Sequence, residues 1–114
     1  MENKYSKVIE ITSNQIKFDC GRTLFSSSDI SYLNFNNLSI KDFHKLEFDL
    51  SQFDKCFRRV EGYGIELIPV KGFSIKIEGY LNDDPYYSAP LFLFLQNQNV
   101  VEKIDISECG LHCA

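Results

Sequence analysis

The sequence predicts a mainly β fold, either an antiparallel β-sandwich or a partly open small barrel of seven to nine short strands with one short helical turn. The 114-residue chain holds ten Phe and six Tyr but no Trp, and aromatic and β-branched residues favour the half-buried surfaces of sheets. Short runs of apolar–polar alternation are separated by polar turns. The chain has no room for the repeated helices that a parallel sheet needs. Its length predicts one domain over residues 1–114.

The first 25 residues predict a three-stranded meander. Ile9 and Ile11 alternate with Val8 and Glu10, so the two pairs are expected on opposite faces of the first strand. The second and third strands follow on either side of a tight turn at residues 19–22, where Gly21 can take a positive φ.

The middle of the chain is less regular. Residues 30–35 predict a short strand. Ser39 and Asp42 have the spacing of a capping box, which predicts one helical turn after them. Phe48 and Leu50 then alternate with acidic residues, as in a strand, before a loop at residues 51–55.

The clearest strand follows a hairpin connection at residues 69–72. Phe73, Ile75 and Ile77 are expected to point into the core and the polar residues between them to point out. A long polar loop is predicted over residues 79–90.

The stretch Leu91 to Leu95 is apolar at every position. It is predicted to form a hairpin with residues 100–106 about the turn at residues 96–99. An antiparallel strand with one solvent-exposed face should alternate apolar and polar residues. Because this stretch does not alternate, both of its faces must be covered. Two explanations are open: the strand is central in a closed barrel, or a second subunit covers its outer face.

The charge balance and the N-terminal residues limit the partners. The formal net charge is −4 and no basic run occurs, so duplex nucleic acid is not expected as a partner. The first residues lack the apolar region of a signal peptide, and no apolar run is long enough to cross a membrane. We therefore expect a cytoplasmic protein without a membrane partner. Its cysteines, Cys20, Cys56, Cys109 and Cys113, are expected to be thiols.

Short stretches spread over most of the chain carry a family resemblance. They are Asp19-x-Gly21-x-x-Leu24, Glu61-x-Tyr63-Gly64-Ile65-x-Leu67-Ile68-Pro69, Tyr86-Tyr87-Ser88 and Asp105-Ile106-Ser107-Glu108-Cys109. In them the chain resembles an uncharacterised family of small all-β proteins from bacteria and their phages. Members often carry an Asp-Cys-Cys-Glu cluster after the first hairpin, where this chain reads Ser27-Ser28-Asp29-Ile30-Ser31. The resemblance implies a compact β fold and an origin on a mobile element, and it implies no activity.

The residues that come nearest to a metal site lie at the C-terminus. Cys109, His112 and Cys113 offer thiolate and imidazole ligands for Zn²⁺, with a fourth ligand from another cysteine or from His44. A strong zinc signature pairs two such clusters, and the second is missing. The favoured alternative is a frayed tail with incidental thiols, so no metal and no other cofactor is predicted.

Catalytic signatures are missing as well. A nucleophilic Cys or Ser needs a nearby base, and the two histidines lie on the predicted helical turn (His44) and near the C-terminus (His112). The sequence contains no nucleophile elbow, phosphate-binding loop or His-Glu-x-x-His motif. It therefore predicts a protein that is not an enzyme.

Tyrosines gather in the polar loop that follows the clearest strand. Tyrosine offers rigid, amphipathic contact area, as in recognition loops, and its ring can stack on a base. The candidate binding residues are Tyr80, Asn82, Asp83, Asp84, Tyr86 and Tyr87. The alternative is that the Asp-Pro sequence makes a turn and the tyrosines cover the end of a barrel.

These features predict a non-enzymatic binding module. Together with the resemblance, the expectation is a phage- or mobile-element-borne inhibitor that blocks a host defence protein by direct contact. The alternatives are a protein that binds or sequesters a small ligand, such as a nucleotide, and a structural oligomer without a ligand. The expected partner is accordingly a host protein or a small ligand, with a homo-oligomer as the third case.

Overall fold

The structure, a computed structural model, describes residues 5–13, 15–26, 31–81 and 90–112. These residues form ten strands and three short 3₁₀ helices. The strands are β1 (Val8–Ile11), β2 (Gln15–Phe18), β3 (Thr23–Ser26), β4 (Tyr32–Asn34), β5 (Phe57–Val60), β6 (Gly64–Leu67), β7 (Ile75–Leu81), β8 (Phe92–Asn97), β9 (Val100–Asp105) and β10 (Leu111–His112). The helices cover Ile40–Phe43, Leu50–Lys55 and Ser107–Cys109. The mainly β class is confirmed, with one strand and two helices beyond the predicted number.

The strands form two open sheets. The first has the order β1-β2-β3-β8-β9, and each neighbouring pair is antiparallel. The second is built on β5-β6-β7, with β4 antiparallel and β10 parallel to β7. The sheets do not close into a barrel, so the sandwich is the predicted form that the structure takes. The β7–β10 pair is the exception to the expected antiparallel pairing.

One hydrophobic core lies between the sheets, and the apolar stretch Leu91 to Leu95, which enters β8 at Phe92, shows how it is filled. Leu91, Leu93 and Leu95 are at most 2% exposed, whereas Phe92 and Phe94 are half-buried on the other face. The prediction that the leucines and phenylalanines point to opposite faces is confirmed. Because the sheets are open, the closed-barrel explanation for β8 is wrong.

The predicted meander is confirmed, but the faces of β1 are not as predicted. A β-bulge interrupts the register between Val8 and Glu10. An extra residue in one strand reverses the alternation beyond it. Val8 therefore packs in the core and Ile11 packs against the core, while Ile9 is exposed.

The middle of the chain confirms the capping box and corrects the strand after it. Ser39 accepts a hydrogen bond from the Lys41 amide, and the side chain of Asp42 accepts one from the Ser39 amide. Phe48 makes only an isolated bridge to Ser6, and Leu50 begins a 3₁₀ helix where a strand and then a loop were predicted.

Both ends of β7 differ from the prediction. The strand begins at Ile75, and Phe73 is exposed before it instead of entering the core. At the other end the strand continues through Leu81, because β4 and β10 pair with its last residues. Residues 79–81, predicted as the start of a loop, are therefore in the sheet.

Candidate binding surface

The connection between β6 and β7 is anchored to the segment that runs from Leu46 to Cys56. The Ile68 amide donates to the Cys56 carbonyl oxygen at 2.8 Å, and the Val70 amide donates to the Glu47 carbonyl oxygen at 2.7 Å. Gly72, at φ 105°, passes so close that a Cβ there would lie 3.0 Å from a Leu46 methyl group. The side chains of this connection are thus presented from a fixed backbone.

Three large apolar side chains of the connection face solvent, and we call them the apolar rim: Ile68, Val70 and Phe73. Their exposed fractions are 37%, 49% and 89%, and Phe73 is the most exposed large hydrophobic side chain in the described part of the chain. Burying a side chain of this kind is worth about 1.5–3 kcal/mol. Folding does not gain this free energy of burial for the rim, so a partner that covers the rim gains it on binding.

A cavity of about 180 Å³ lies on one side of the rim, between the connection and the 3₁₀ helix Leu50–Lys55. Its lining is Asp49, Gln52, Lys55, Cys56, Ile68, Pro69 and Val70. The apolar side chains come from the connection and the charged ones from the helix and its cap. The surface around the rim is thus concave as well as apolar.

A second cavity, of about 310 Å³, shares Val70 with the first. Its other lining residues are Tyr5, Lys45, Glu47 and Lys71. We call it the lysine cavity. Two lysines against one glutamate give its lining a net positive charge, in a chain whose formal net charge is −4.

The sequence placed the candidate binding residues elsewhere, and of these the structure describes Tyr80. The others, Asn82, Asp83, Asp84, Tyr86 and Tyr87, lie outside the described residues. Tyr80 is half-buried on the outer face of β7, where its ring centroid lies 5.3 Å from that of Tyr32 on β4. Its hydroxyl donates to Glu78 at 2.5 Å, and this bond raises the pKa of Tyr80. Tyr80 thus belongs to a tyrosine pair on a sheet, not to a loop.

The neighbouring outer face of the second sheet is polar and internally paired. Glu66 accepts hydrogen bonds from Ser74 and Arg58, which lower the pKa of its carboxyl group. Lys76 lies over the ring of Tyr63, 5.9 Å from its centroid. These polar groups pair with one another. We therefore consider this face a weaker candidate for partner binding than the rim.

The outer face of the first sheet carries an aromatic strip of Phe25, Phe92 and Phe94. The Phe25 and Phe94 rings stack with centroids 5.0 Å apart, and the Phe92 centroid lies 6.1 Å from that of Phe94. The Lys103 ammonium covers the Phe92 ring at 4.1 Å from its centroid. The strip is half-buried by its own contacts, so it exposes less apolar surface per residue than Phe73.

The structure places two of the three candidate zinc ligands. Cys109 is buried in the core, His112 is in β10, and Cys113 lies outside the described residues. In the described part of the chain no three His, Cys, Asp or Glu residues come together as a metal site. The C-terminal residues through His112 form a helix and a strand, so the frayed tail that the sequence favoured is wrong for them.

The three described cysteines are thiols in contrasting environments, with Cys20 exposed and Cys56 and Cys109 buried. Burial raises the pKa of Cys56 to about 12 and also raises that of Cys109. Only the thiolate reacts with iodoacetamide. At pH 8 we expect alkylation of Cys56 to be roughly a thousandfold slower in the folded protein than in the unfolded one, because folding raises the pKa of this thiol from 9.0 to about 12.

Peptide mass spectrometry of samples quenched over time measures both rates. The protein unfolded in guanidinium chloride is the control, in which the cysteines should react at similar rates. Equal labelling of Cys20 and Cys56 in the folded protein would contradict the placement of Cys56.

The fold and its surfaces define an all-β sandwich that presents an anchored apolar rim beside two cavities. No helix in the described ranges is long and apolar enough to cross a membrane. No family model, curated protein or solved structure gives a significant match to this chain. The resemblance to the family from bacteria and phages therefore stays a prediction.

Proposed function

We propose that this protein is a non-enzymatic binding module that acts by stoichiometric contact between its apolar rim and a partner protein. The observation that carries the proposal is the 89% exposure of Phe73 on an anchored connection. Aromatic side chains are frequent anchors of protein interfaces. A fixed backbone also lowers the entropy lost on binding.

Binding rather than catalysis is supported by the state of the thiols. The raised pKa of Cys56 leaves almost no thiolate at neutral pH, although this residue lines a cavity. His44 is exposed at the end of a 3₁₀ helix, where it acts as the C-cap. A buried, protonated thiol is a structural group and not a nucleophile.

The finer proposal concerns the partner and the compartment. The resemblance to proteins of bacteria and their phages supports an inhibitor, carried by a phage or a mobile element, that blocks a host defence protein in the cytoplasm. Direct contact through a small apolar surface is sufficient for such a role.

The test compares the partner proteins that the tagged wild type and the tagged Phe73→Ser variant capture from a bacterial lysate. We expect a protein captured in equimolar amount by the wild type and at least about tenfold less by the variant, because loss of an aromatic anchor costs about 2 kcal/mol or more. Quantitative mass spectrometry measures the amounts and identifies the protein, and a defence component would support the finer proposal.

The matched control is Val100→Ser. Val100 is 64% exposed but lies in the β8–β9 hairpin, so its loss should leave capture unchanged. Both variants should melt like the wild type, since neither side chain is buried. Equal capture by Phe73→Ser and the wild type would overturn the role of the rim.

A small-ligand function is the second candidate, and the lysine cavity favours it. Its volume of about 310 Å³ is at the lower end of ligand pockets. Tyr5 offers a ring for stacking and the lysines offer charge for a phosphate, as a nucleotide requires. Heat release of bound molecules followed by mass spectrometry separates this function from protein binding.

The aromatic strip supports a third candidate, a homo-oligomer in which a second copy covers Phe25, Phe92 and Phe94. Edge pairing of β9 with its own copy is disfavoured. The two antiparallel registers of greatest overlap that keep side chains on matching faces place either Glu102 or Lys103 opposite itself. Contact through the face of the sheet is therefore the form of oligomer we propose to test.

A further inference from the structure

The lysine cavity lies directly beside the apolar rim, because Val70 belongs to both. A partner that covers Val70 therefore also contacts the edge of this cavity. Its volume of about 310 Å³ is at the lower end of ligand pockets and is sufficient for one inserted side chain. The group that fills the cavity is thus expected to come from the partner.

Four of the five residues that line the cavity come from two segments that a backbone hydrogen bond joins. The Val70 amide donates to the Glu47 carbonyl oxygen at 2.7 Å, which fixes Lys71 and Val70 next to Lys45 and Glu47. The two lysines are thereby brought to one cavity from distant parts of the sequence.

Lys45 reaches the cavity from a left-handed backbone conformation, with φ 67°. Non-glycine residues are uncommon there, and such conformations cluster at functional sites. Hydrogen bonds on both sides hold it: the His44 amide donates to Lys41 and the Leu46 amide to Phe43. The lysine is positioned by the turn that ends the 3₁₀ helix Ile40–Phe43.

Charge determines the kind of group that fits. Two ammonium groups against the Glu47 carboxylate leave one net positive charge, which complements a single negative charge. A phosphate dianion would bring a second negative charge close to Glu47, so a carboxylate is the better match. The Val70 side chain supplies an apolar wall beside it.

We infer that the lysine cavity binds a carboxylate side chain of the partner, next to an apolar residue that packs on the rim. The inference rests on the proposed function for its partner, but its chemistry can be tested without that partner. Lys45 and Lys71 would pair with the carboxylate, and Val70 would contact the neighbouring apolar side chain. The partner segment is thus an apolar residue adjacent to Glu or Asp.

The test uses two blocked dipeptides that differ only in charge, N-acetyl-Leu-Glu amide and N-acetyl-Leu-Gln amide. Each is titrated into ¹⁵N-labelled protein at low ionic strength, followed by amide chemical shifts. We expect saturable shifts at Lys45, Glu47, Val70 and Lys71 with the Glu peptide. The Gln peptide should bind about fivefold more weakly, the effect of a surface ion pair of up to about 1 kcal/mol.

Charge-removing variants assign the preference to the cavity. Lys45→Gln and Lys71→Gln should each bind the two peptides almost equally, whereas the control Lys103→Gln should keep the fivefold preference. Equal binding of both peptides by the wild type, or no shifts at these amides, would overturn the inference.

Inorganic phosphate is titrated in parallel to distinguish the source of the anion. Tighter binding of phosphate than of the Glu peptide at the same amides would overturn the carboxylate in favour of a phosphate ligand. Because no partner protein is present, a negative result here is distinguishable from failure of the rim, which the Phe73→Ser capture experiment tests separately.

Discussion

Replacing Leu93 by Glu is expected to abolish folding, because the leucine is completely buried in the core. A carboxylate at this position would lie in an apolar interior without a partner, which costs several kcal/mol or more even if it takes up a proton. The loss of the buried leucine side chain adds about 1.5–3 kcal/mol. Together these costs match or exceed the total stability of a small domain, about 5–15 kcal/mol. Circular dichroism and the yield of soluble protein measure the effect.

The adjacent residue provides the matched control. Phe94 lies on the outer face of β8, half-buried, and stacks on Phe25. Glu at this position reaches water and has Lys103 directly opposite on β9. The loss of the aromatic pairing should cost about 0.5–1.5 kcal/mol beyond the lost burial, so the variant should fold. An insoluble Phe94→Glu beside a folded Leu93→Glu would contradict the assignment of the two faces.

Comparison of the wild type with Phe94→Glu also tests the homo-oligomer. If a second copy covers the aromatic strip, light scattering should give a dimer or larger species for the wild type and a monomer for Phe94→Glu. A monomeric wild type at high concentration would remove the oligomer proposal and leave the strip as a self-covered surface.

Local patterns were sufficient for the parts of the fold that depend on neighbours in sequence. The capping box at Ser39 and Asp42 and the hairpin of β8 and β9 were predicted because spacing and turn residues specify them. The opposite faces of the leucines and phenylalanines in β8 follow from the period of a strand. These features hold in the structure because tertiary contacts reinforce the local preference.

Other parts depend on partners that are distant in sequence. The bulge at Ile9 is a property of how β1 pairs with β2, so alternation alone gave the wrong face. Gly79 and Tyr80 have loop-like neighbours, yet β4 and β10 extend the strand through them. No local pattern contains either pairing.

The candidate site likewise depends partly on local sequence and partly on partners that are distant in sequence. Phe73 continues the alternation of Ile75 and Ile77, and its exposure follows from the strand starting two residues later. The one local signal was a valine inside the turn sequence of residues 69–72, where polar residues are usual. The lysine cavity could not be predicted, because Lys45 and Lys71 meet only through the bond between Val70 and Glu47.

Gly64 provides the second large expected effect. It begins β6 at φ 148°, and a Cβ there would overlap the Ile77 carbonyl oxygen and the Gly79 nitrogen of β7. These are backbone atoms in the centre of the second sheet, so the collision can be relieved only by separating the strands. We expect Gly64→Ala to lower the free energy of unfolding by at least about 3 kcal/mol, above the range of most single substitutions. Urea unfolding followed by circular dichroism measures the change.

Gly62 is the matched control for this substitution, since it also has a positive φ, 74°, but open space where a Cβ would lie. Gly62→Ala should therefore lower the free energy of unfolding by only about 1 kcal/mol, the cost of a positive φ for a residue with a Cβ. The difference between the two variants contains the collision with β7 and the higher backbone cost of an L residue at φ 148° than at φ 74°. If both variants lose the same stability, the contact between Gly64 and β7 is not as close as the structure gives it.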